Sequence, residues 1–345
     1  MRCIQEGEIA LIPVLADILA ARQAIGAMAA LDTPLVPSPT LTERSGFDVL
    51  LKLEIGQHTG AFKLRGAANA ASRLPADAPG VTCCSTGNHG RAVAYAAARR
   101  GLKAIICMSE LVPQAKIDGI RALGAEARII GRSQDEAQIE ATRLVQEEGF
   151  AEIPPFDHAD IISGQGTIGL ELLEQWPDLH TILVPLSGGG LAAGIALAAK
   201  AIRPNIRVIG ISMQNGAAMH AALEADKPVS VEEVPSLADS LGGGIGTENT
   251  LTLQLCRDLL DDVVLVSESE IYRAMQFHYY EDRLVCEGAS AVGAAAILAG
   301  KVRLDGPTAT LITGRNVDMK TFTDIVSGRD VMLGNDVLKG QPYGA

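Results

Sequence analysis

The chain has 345 residues, 48% hydrophobic and 20% charged, with a formal net charge of −12. That composition supports one large or two ordinary folded domains and excludes a disordered chain. No Lys/Arg block is present to replace phosphate counterions, which argues against a nucleic-acid partner, and six cysteines without a CxxC pair form neither a disulfide framework nor a zinc spacing.

At the start of the chain, Glu6 and Glu8 stand where a secretory signal would carry basic residues, and Asp17, Arg22 and Asp32 break the apolar run that follows. The expectation is no signal peptide, no membrane span and a cytoplasmic location, as the cysteine usage also suggests. The first dozen residues carry no ordering signal. Strands are then predicted over 48–54, 80–85, 103–108, 126–131, 181–186, 207–212, 262–267 and 308–313. Several are near-continuous apolar runs, as expected of strands covered on both faces. Ala-rich helical stretches lie between them, among them 91–101 and 191–202. This alternation predicts an α/β fold with parallel sheets. SLADSLGGGIGTEN (236–249) is the glycine-rich loop that opens no helix, and from about residue 329 periodicity is lost.

Several short motifs carry candidate chemistry. In HTGAFKLRGA (58–67), Lys63 taken alone reads as a solvated charge at a helix start. STGNHG (Ser85–Gly90) follows a strand and leads into a helix, where converging N–H groups suit a carboxylate or phosphate; a plain helix cap is the alternative. SGGGLAAG (Ser187–Gly194) follows the strand TILVPL, and its glycines permit close approach of an anion. The strand after it ends in Ser212-Met213-Gln214, without the acid that would hold the ribose of a dinucleotide, so a simple phosphate fits better than NAD. SGQGTIG (Ser163–Gly169) is read as a third glycine-bearing loop before a helix. ITGRNVD (Ile312–Asp318) follows a buried strand, and CEGAS (Cys286–Ser290) opens another Ala-rich helix, with Glu287 read as a helix-start carboxylate.

Taken in order, TGAFKLRGA, STGNHG, GQGTI, SGGGL, EGAS and TGRNVD resemble the fold-type-II pyridoxal-phosphate (PLP) enzymes, in particular the serine/threonine dehydratase and serine racemase branch. The likeness runs from about Thr33 to Asp318, and CMSELVPQAK, GRSQDEAQ and ISMQNGAAM are most similar to the hydroxyectoine-utilisation dehydratases. The resemblance implies a tryptophan-synthase-β-like fold of two open, twisted, mostly parallel sheets flanked by helices. It places a large PLP-binding domain at 1–76 and 153–328, a small mobile domain at 77–152 inserted within it, and a tail at 329–345. It also implies PLP as cofactor and a homodimer.

Residue by residue, Lys63 matches the lysine that forms the imine with PLP, and Phe62 the residue beside the ring. Asn88 matches the partner of the ring hydroxyl. Gly188, Gly189, Gly190 and Leu191 match the phosphate loop, and Thr313 the hydroxyl facing the pyridine nitrogen, with Asp318 as an alternative partner. Ser85, Thr86, Asn88 and His89 match the loop that holds the substrate carboxylate, and Gln165 is placed with the substrate. Lys63 and Thr86 are the expected catalytic pair. The reaction implied is α,β-elimination from a β-hydroxy amino acid to a 2-oxo acid and ammonia. The candidate substrates are threonine, serine or a hydroxylated diaminobutyrate derivative from hydroxyectoine breakdown. Racemisation, β-replacement and a non-catalytic PLP- or amino-acid-binding protein are the competing readings.

Some positions depart from the pattern. Ala61 stands where many relatives have serine, Gly288 where many have proline and Arg315 where many have glycine. Thr86 replaces the serine that racemases use as a second acid/base, which favours dehydration. Met213–Gly216 offers no carboxylate for a divalent ion, so no metal is expected. Only a short stretch follows the matching region, so no long regulatory domain and a catabolic role are expected.

Overall fold

The computed structural model describes residues 12–85, 87–112 and 114–344. Thr86, one of the expected catalytic residues, lies outside the described residues, as do the first eleven.

Ten strands build two sheets. In chain order they are β1 (Leu35–Pro37), β2 (Val49–Leu53), β3 (Val81–Cys84), β4 (Ala104–Met108), β5 (Glu126–Ile129), β6 (Ala151–Glu152), β7 (Thr181–Pro185), β8 (Arg207–Met213), β9 (Asp262–Val266) and β10 (Thr308–Ile312). The larger sheet has the order β1-β2-β10-β7-β8-β9, and the smaller β5-β4-β3-β6. All pairings are parallel except β1 with β2, at the edge of the large sheet. Pro37 sits in that edge strand, where a missing N–H removes no central ladder bond. The small sheet is formed wholly from the segment between β2 and β7, so one unit is threaded into the other.

Each of the eight predicted strands is present. The two unpredicted ones, β1 and β6, have three and two residues, too few to show a period. The apolar runs are explained by burial on both faces. In β7, Leu183 packs with Ile209 and Ile211 on one side, while Ile182 and Val184 join Val208 and Leu311 on the other. A strand covered twice has no polar face to alternate with.

SGQGTIG is the main correction to the sequence reading. Ser163–Gly169 is not a loop; it lies inside the helix Ala159–Gln175. Its glycines make a packing seam. A Cβ on Gly164 would stand 2.6 Å from the Arg65 carbonyl oxygen, and one on Gly166 2.9 Å from that of Gly194. The seam therefore draws two helices close: Lys63–Arg73, which starts at the candidate lysine, and Gly190–Ile202, which follows the candidate phosphate loop.

A buried charge cluster anchors the first of these helices. Arg65, Glu54, Glu171 and Lys52 have fully buried side chains. Arg65 donates to both carboxylates, at 2.8 Å from Nε and Nη2 to Glu54 and 2.6 Å from Nη1 to Glu171. Lys52 Nζ donates to Glu171 at 2.6 Å. Two cations and two anions balance, as burial of charge requires.

The final segment, expected to lack regular structure, forms a hairpin of β11 (Val331–Leu333) and β12 (Asp336–Leu338). Beyond it, Tyr343 stacks on Tyr280 with centroids 4.8 Å apart, laying the tail on the helix Glu268–Tyr280. No described helix is long and apolar enough to cross a membrane.

Candidate active site

The carboxyl ends of β3, β7 and β10 converge on one cavity of about 330 Å³. Open α/β sheets bind ligands at such strand ends. Of the residues singled out in the sequence, Phe62, Lys63, Ser85, Asn88, His89, Gly188, Gly189, Gly190, Leu191 and Thr313 all line it.

Lys63 is the first residue of its helix, and its Nζ donates to the Pro155 carbonyl at 2.7 Å. Loss of solvent lowers its pKa from 10.5 to about 8, against the opposing pull of the Glu287 carboxylate. The Phe62 ring lies 5.4 Å from that nitrogen. The start of this helix is tied to the end of β10: Phe62 N–H donates to the Thr313 carbonyl at 2.9 Å, and Ala61 bridges to Gly314. Lys63 and Thr313 are thus held in one local frame.

Across the cavity, the turn after β7 runs through Gly188 and Gly189 into the helix Gly190–Ile202. Gly189 has φ of +89°, and a Cβ there would stand 2.7 Å from Met219 Cε. A Cβ on Gly190 would stand 3.0 Å from the Phe156 main chain, and one on Gly188 would enter the Phe156 ring. Side chains are excluded here, so main chain faces the cavity. The first N–H groups of a helix lack intrahelical acceptors and form a positive end suited to an anion.

Thr313 is buried, with its Oγ1 3.0 Å from Ser290 Oγ. Ser290 also accepts from Gly314 N–H at 2.8 Å. Asn88 is fixed at both ends of its amide. It donates to Glu287 at 2.9 Å and accepts from Asn316 Nδ2 at 2.6 Å. His89 Nε2 bonds the Ile153 carbonyl at 2.7 Å, so that nitrogen carries the proton. Burial, with Lys63 nearby, pushes its pKa down to about 3 and keeps the ring neutral.

Gln165 is not brought to this cavity. It is buried in the helix Ala159–Gln175, with its amide against Gly66, because the segment read as a loop is helix interior. Asp318 caps the helix Met319–Val326, accepting from Thr321 N–H at 2.8 Å. Arg315 is exposed, with its side chain lying over Gly60.

Sequence reasoning missed Glu287, Ser290 and the loop Asp239–Gly244 as parts of the site. Glu287 does precede the helix Gly288–Leu298, as expected of a helix-start carboxylate, but it also walls the cavity. Burial raises its pKa, opposed by hydrogen bonds from Asn88 and Ser240. Ser290 follows it by three residues, the spacing that puts two side chains on one helical face. That phase was the available signal. Loop 239–244 closes the cavity from a distant part of the chain, and no local pattern reports that.

Comparison with known proteins places this geometry. A family model described as "Pyridoxal-phosphate dependent enzyme" matches residues 27–314. The chain belongs to that family. PLP is accordingly its cofactor, and the chain is a lyase of the dehydratase, or ammonia-lyase, group. It is 56% identical over 299 residues to a Sinorhizobium fredii protein provisionally named a threonine dehydratase, covering 86% of this chain and 90% of that one. It is 39% identical over 297 residues to an L-threonine ammonia-lyase of Geobacter sulfurreducens, covering 85% and 73%. The structure of maize serine racemase superposes with a TM-score of 0.85 at 33% identity, covering 91% of this chain and 97% of the other. The fold of this PLP enzyme is therefore the one that the sequence resemblance implied.

Proposed function

We propose that this PLP enzyme carries out α,β-elimination on a β-hydroxy amino acid, releasing a 2-oxo acid and ammonia. One observation carries the reading: an amine of lowered basicity, Lys63 Nζ, faces a cradle of main chain at a helix start within a single cavity. The residues fit the cofactor. The segment Gly188–Leu191 would hold its phosphate, Phe62 would pack beside its ring, and Lys63 would hold it covalently. Thr313, itself oriented by Ser290, would face the ring nitrogen with a neutral hydroxyl. Asn88 would meet the ring hydroxyl, its position set by Asn316 and Glu287. When bound, PLP supplies an electron sink for the carbanion formed at the substrate α-carbon.

The chain's own residues do the rest. Lys63 Nζ would accept the α-proton; a pKa of about 8 leaves part of it neutral near neutral pH. Ser85, Thr86 and His89 orient the substrate carboxylate, with Thr86 assigned from its place in the motif alone. The β-hydroxyl departs as water, and hydrolysis of the product returns one water and frees ammonia. Residues 77–152 act as a small domain that closes on the large one, formed by 1–76 and 153–328, to exclude water from the carbanion step. Gln165 has no part in this reading.

Threonine, which the names of the curated relatives suggest, and serine are the simple substrates. A hydroxylated diaminobutyrate derivative from hydroxyectoine breakdown is the specialised one. A homodimer in the cytoplasm completes the proposal. The likeness to serine racemase keeps racemisation as a second reading. The test is to incubate PLP-loaded protein with threonine, serine and the hydroxylated derivative, following 2-oxo acid, ammonia and the chirality of remaining substrate. Release of both products in equal amounts, absent in Lys63→Ala, is expected. Inverted substrate without ammonia would favour the racemase.

A further inference from the structure

Beyond the cavity that contains Lys63 lies a second, larger chamber of about 630 Å³. The two share Gly87, Asn88, Asp239, Ser240 and Glu287 as walls, so the chamber that contains Lys63, the inner one, adjoins the outer. The inner chamber lies at the small end of the usual range for ligand sites and must also take the cofactor. A substrate no larger than threonine would leave the outer chamber to solvent.

The charged groups of the outer chamber are not equally engaged. Glu287 accepts from Asn88 and Ser240, and Asp318 accepts from Thr321. Lys116 and Asp239 add one charge of each sign. Arg91 differs: its Nε is buried and has no hydrogen-bond partner. Its guanidinium lies against the helix Gln114–Ala122 at Gly119, where a Cβ would stand 2.7 Å from Nη1. Nε itself is enclosed, but Arg91 lines the chamber and no described residue pairs with its guanidinium, so its outer nitrogens are left for a ligand oxygen. Arg91 follows Asn88 by three residues in the helix Asn88–Arg100, so both side chains lie on the face turned to the two chambers.

We infer that the outer chamber receives the substrate side chain and that Arg91 recognises a hydrogen-bond-accepting oxygen at its far end, a carboxylate or an amide carbonyl. This rests on the elimination reading above and narrows it. The preferred substrate is then a 2-amino-3-hydroxy acid extended well beyond the reacting carbon, not serine or threonine. Arg91 is a specificity residue with no part in proton transfer.

Binding of unreactive analogues tests this without turnover. L-Glutamine and L-glutamate carry a distal acceptor, L-2-aminobutyrate carries none, and all lack the β-hydroxyl that elimination needs. In calorimetric titrations of the PLP-loaded protein, glutamine or glutamate binds about tenfold or more tightly than 2-aminobutyrate, as one charge-assisted hydrogen bond supplies. In Arg91→Met that preference collapses while the affinity for 2-aminobutyrate holds. Equal affinity of all three for the unaltered protein, a comparison that needs no variant, overturns the inference. So does a preference that survives in Arg91→Met. If the preference is absent and threonine still yields 2-oxo acid, the inference falls and the elimination reading stands. If the preference is present and no β-hydroxy acid releases ammonia, the elimination reading falls and the role of Arg91 as a side-chain ligand stands.

Discussion

Lys63 shows how far a single residue can be read. By composition it is one cation among many; the ordered motifs around it marked it as reactive, and its surroundings explain how. Because burial lowers its pKa to about 8 from 10.5, the folded chain gives up a proton that the unfolded chain keeps between those values. The contribution of Lys63 to apoprotein stability therefore rises with pH across that window and is unfavourable below it. The same shift predicts that attachment of PLP to the apoprotein accelerates with pH, with a midpoint near 8, measurable by stopped-flow absorbance. Arg65, two positions on, is structural, held in buried pairs with Glu54 and Glu171. Arg65→Met would leave Glu54 without a cation and Glu171 with Lys52 alone, and is expected to cost about 3–5 kcal/mol by denaturant unfolding. Lys52→Met leaves Glu171 still paired to Arg65 and should cost clearly less. Glu287 stands at a helix start as read, but its place in the cavity wall was not legible, because a carboxylate before a helix looks the same in sequence whether it faces solvent or a cavity.

At the scale of elements, apolar runs located the long central strands because burial on two faces leaves a strong signal. Short edge pieces such as β1 and β6 leave almost none. SGQGTIG shows a different limit. Glycines that open a turn and glycines that let helices touch have the same spelling, and only the partner tells them apart. Here the partner is another helix: a Cβ on Gly194 would stand 2.7 Å from the Gly166 amide nitrogen and would clash with the Ile162 carbonyl. Backbone on both sides cannot move aside. Gly194→Ala is expected to destabilise by roughly 1–3 kcal/mol, as overpacking does, and to weaken PLP retention because the helix under the cradle shifts. Gly56→Ala, at a site with nothing within 4 Å, should stay within about 0.5 kcal/mol. Urea midpoints of the two variants make the comparison.

At the scale of the whole molecule, the site exists only because distant segments meet. Residues near 63, 88, 189, 240, 287 and 313 share one cavity, and the buried charges, the glycine seam and the β10 tie hold that arrangement. The order of the motifs made most of this legible before any geometry, since STGNHG, SGGGL and TGRNVD each follow a strand of a parallel sheet. The outer chamber and Arg91 were not legible, because a chamber is a property of the space between segments. The central claim is that this assembly makes one lysine, and no other, reactive toward PLP. Borohydride reduction of the PLP-loaded protein, followed by proteolysis and mass spectrometry, addresses it directly. The account predicts a pyridoxyl label confined to Lys63 and absent from Lys63→Ala; a label spread over other lysines, or one that persists in Lys63→Ala, would contradict it.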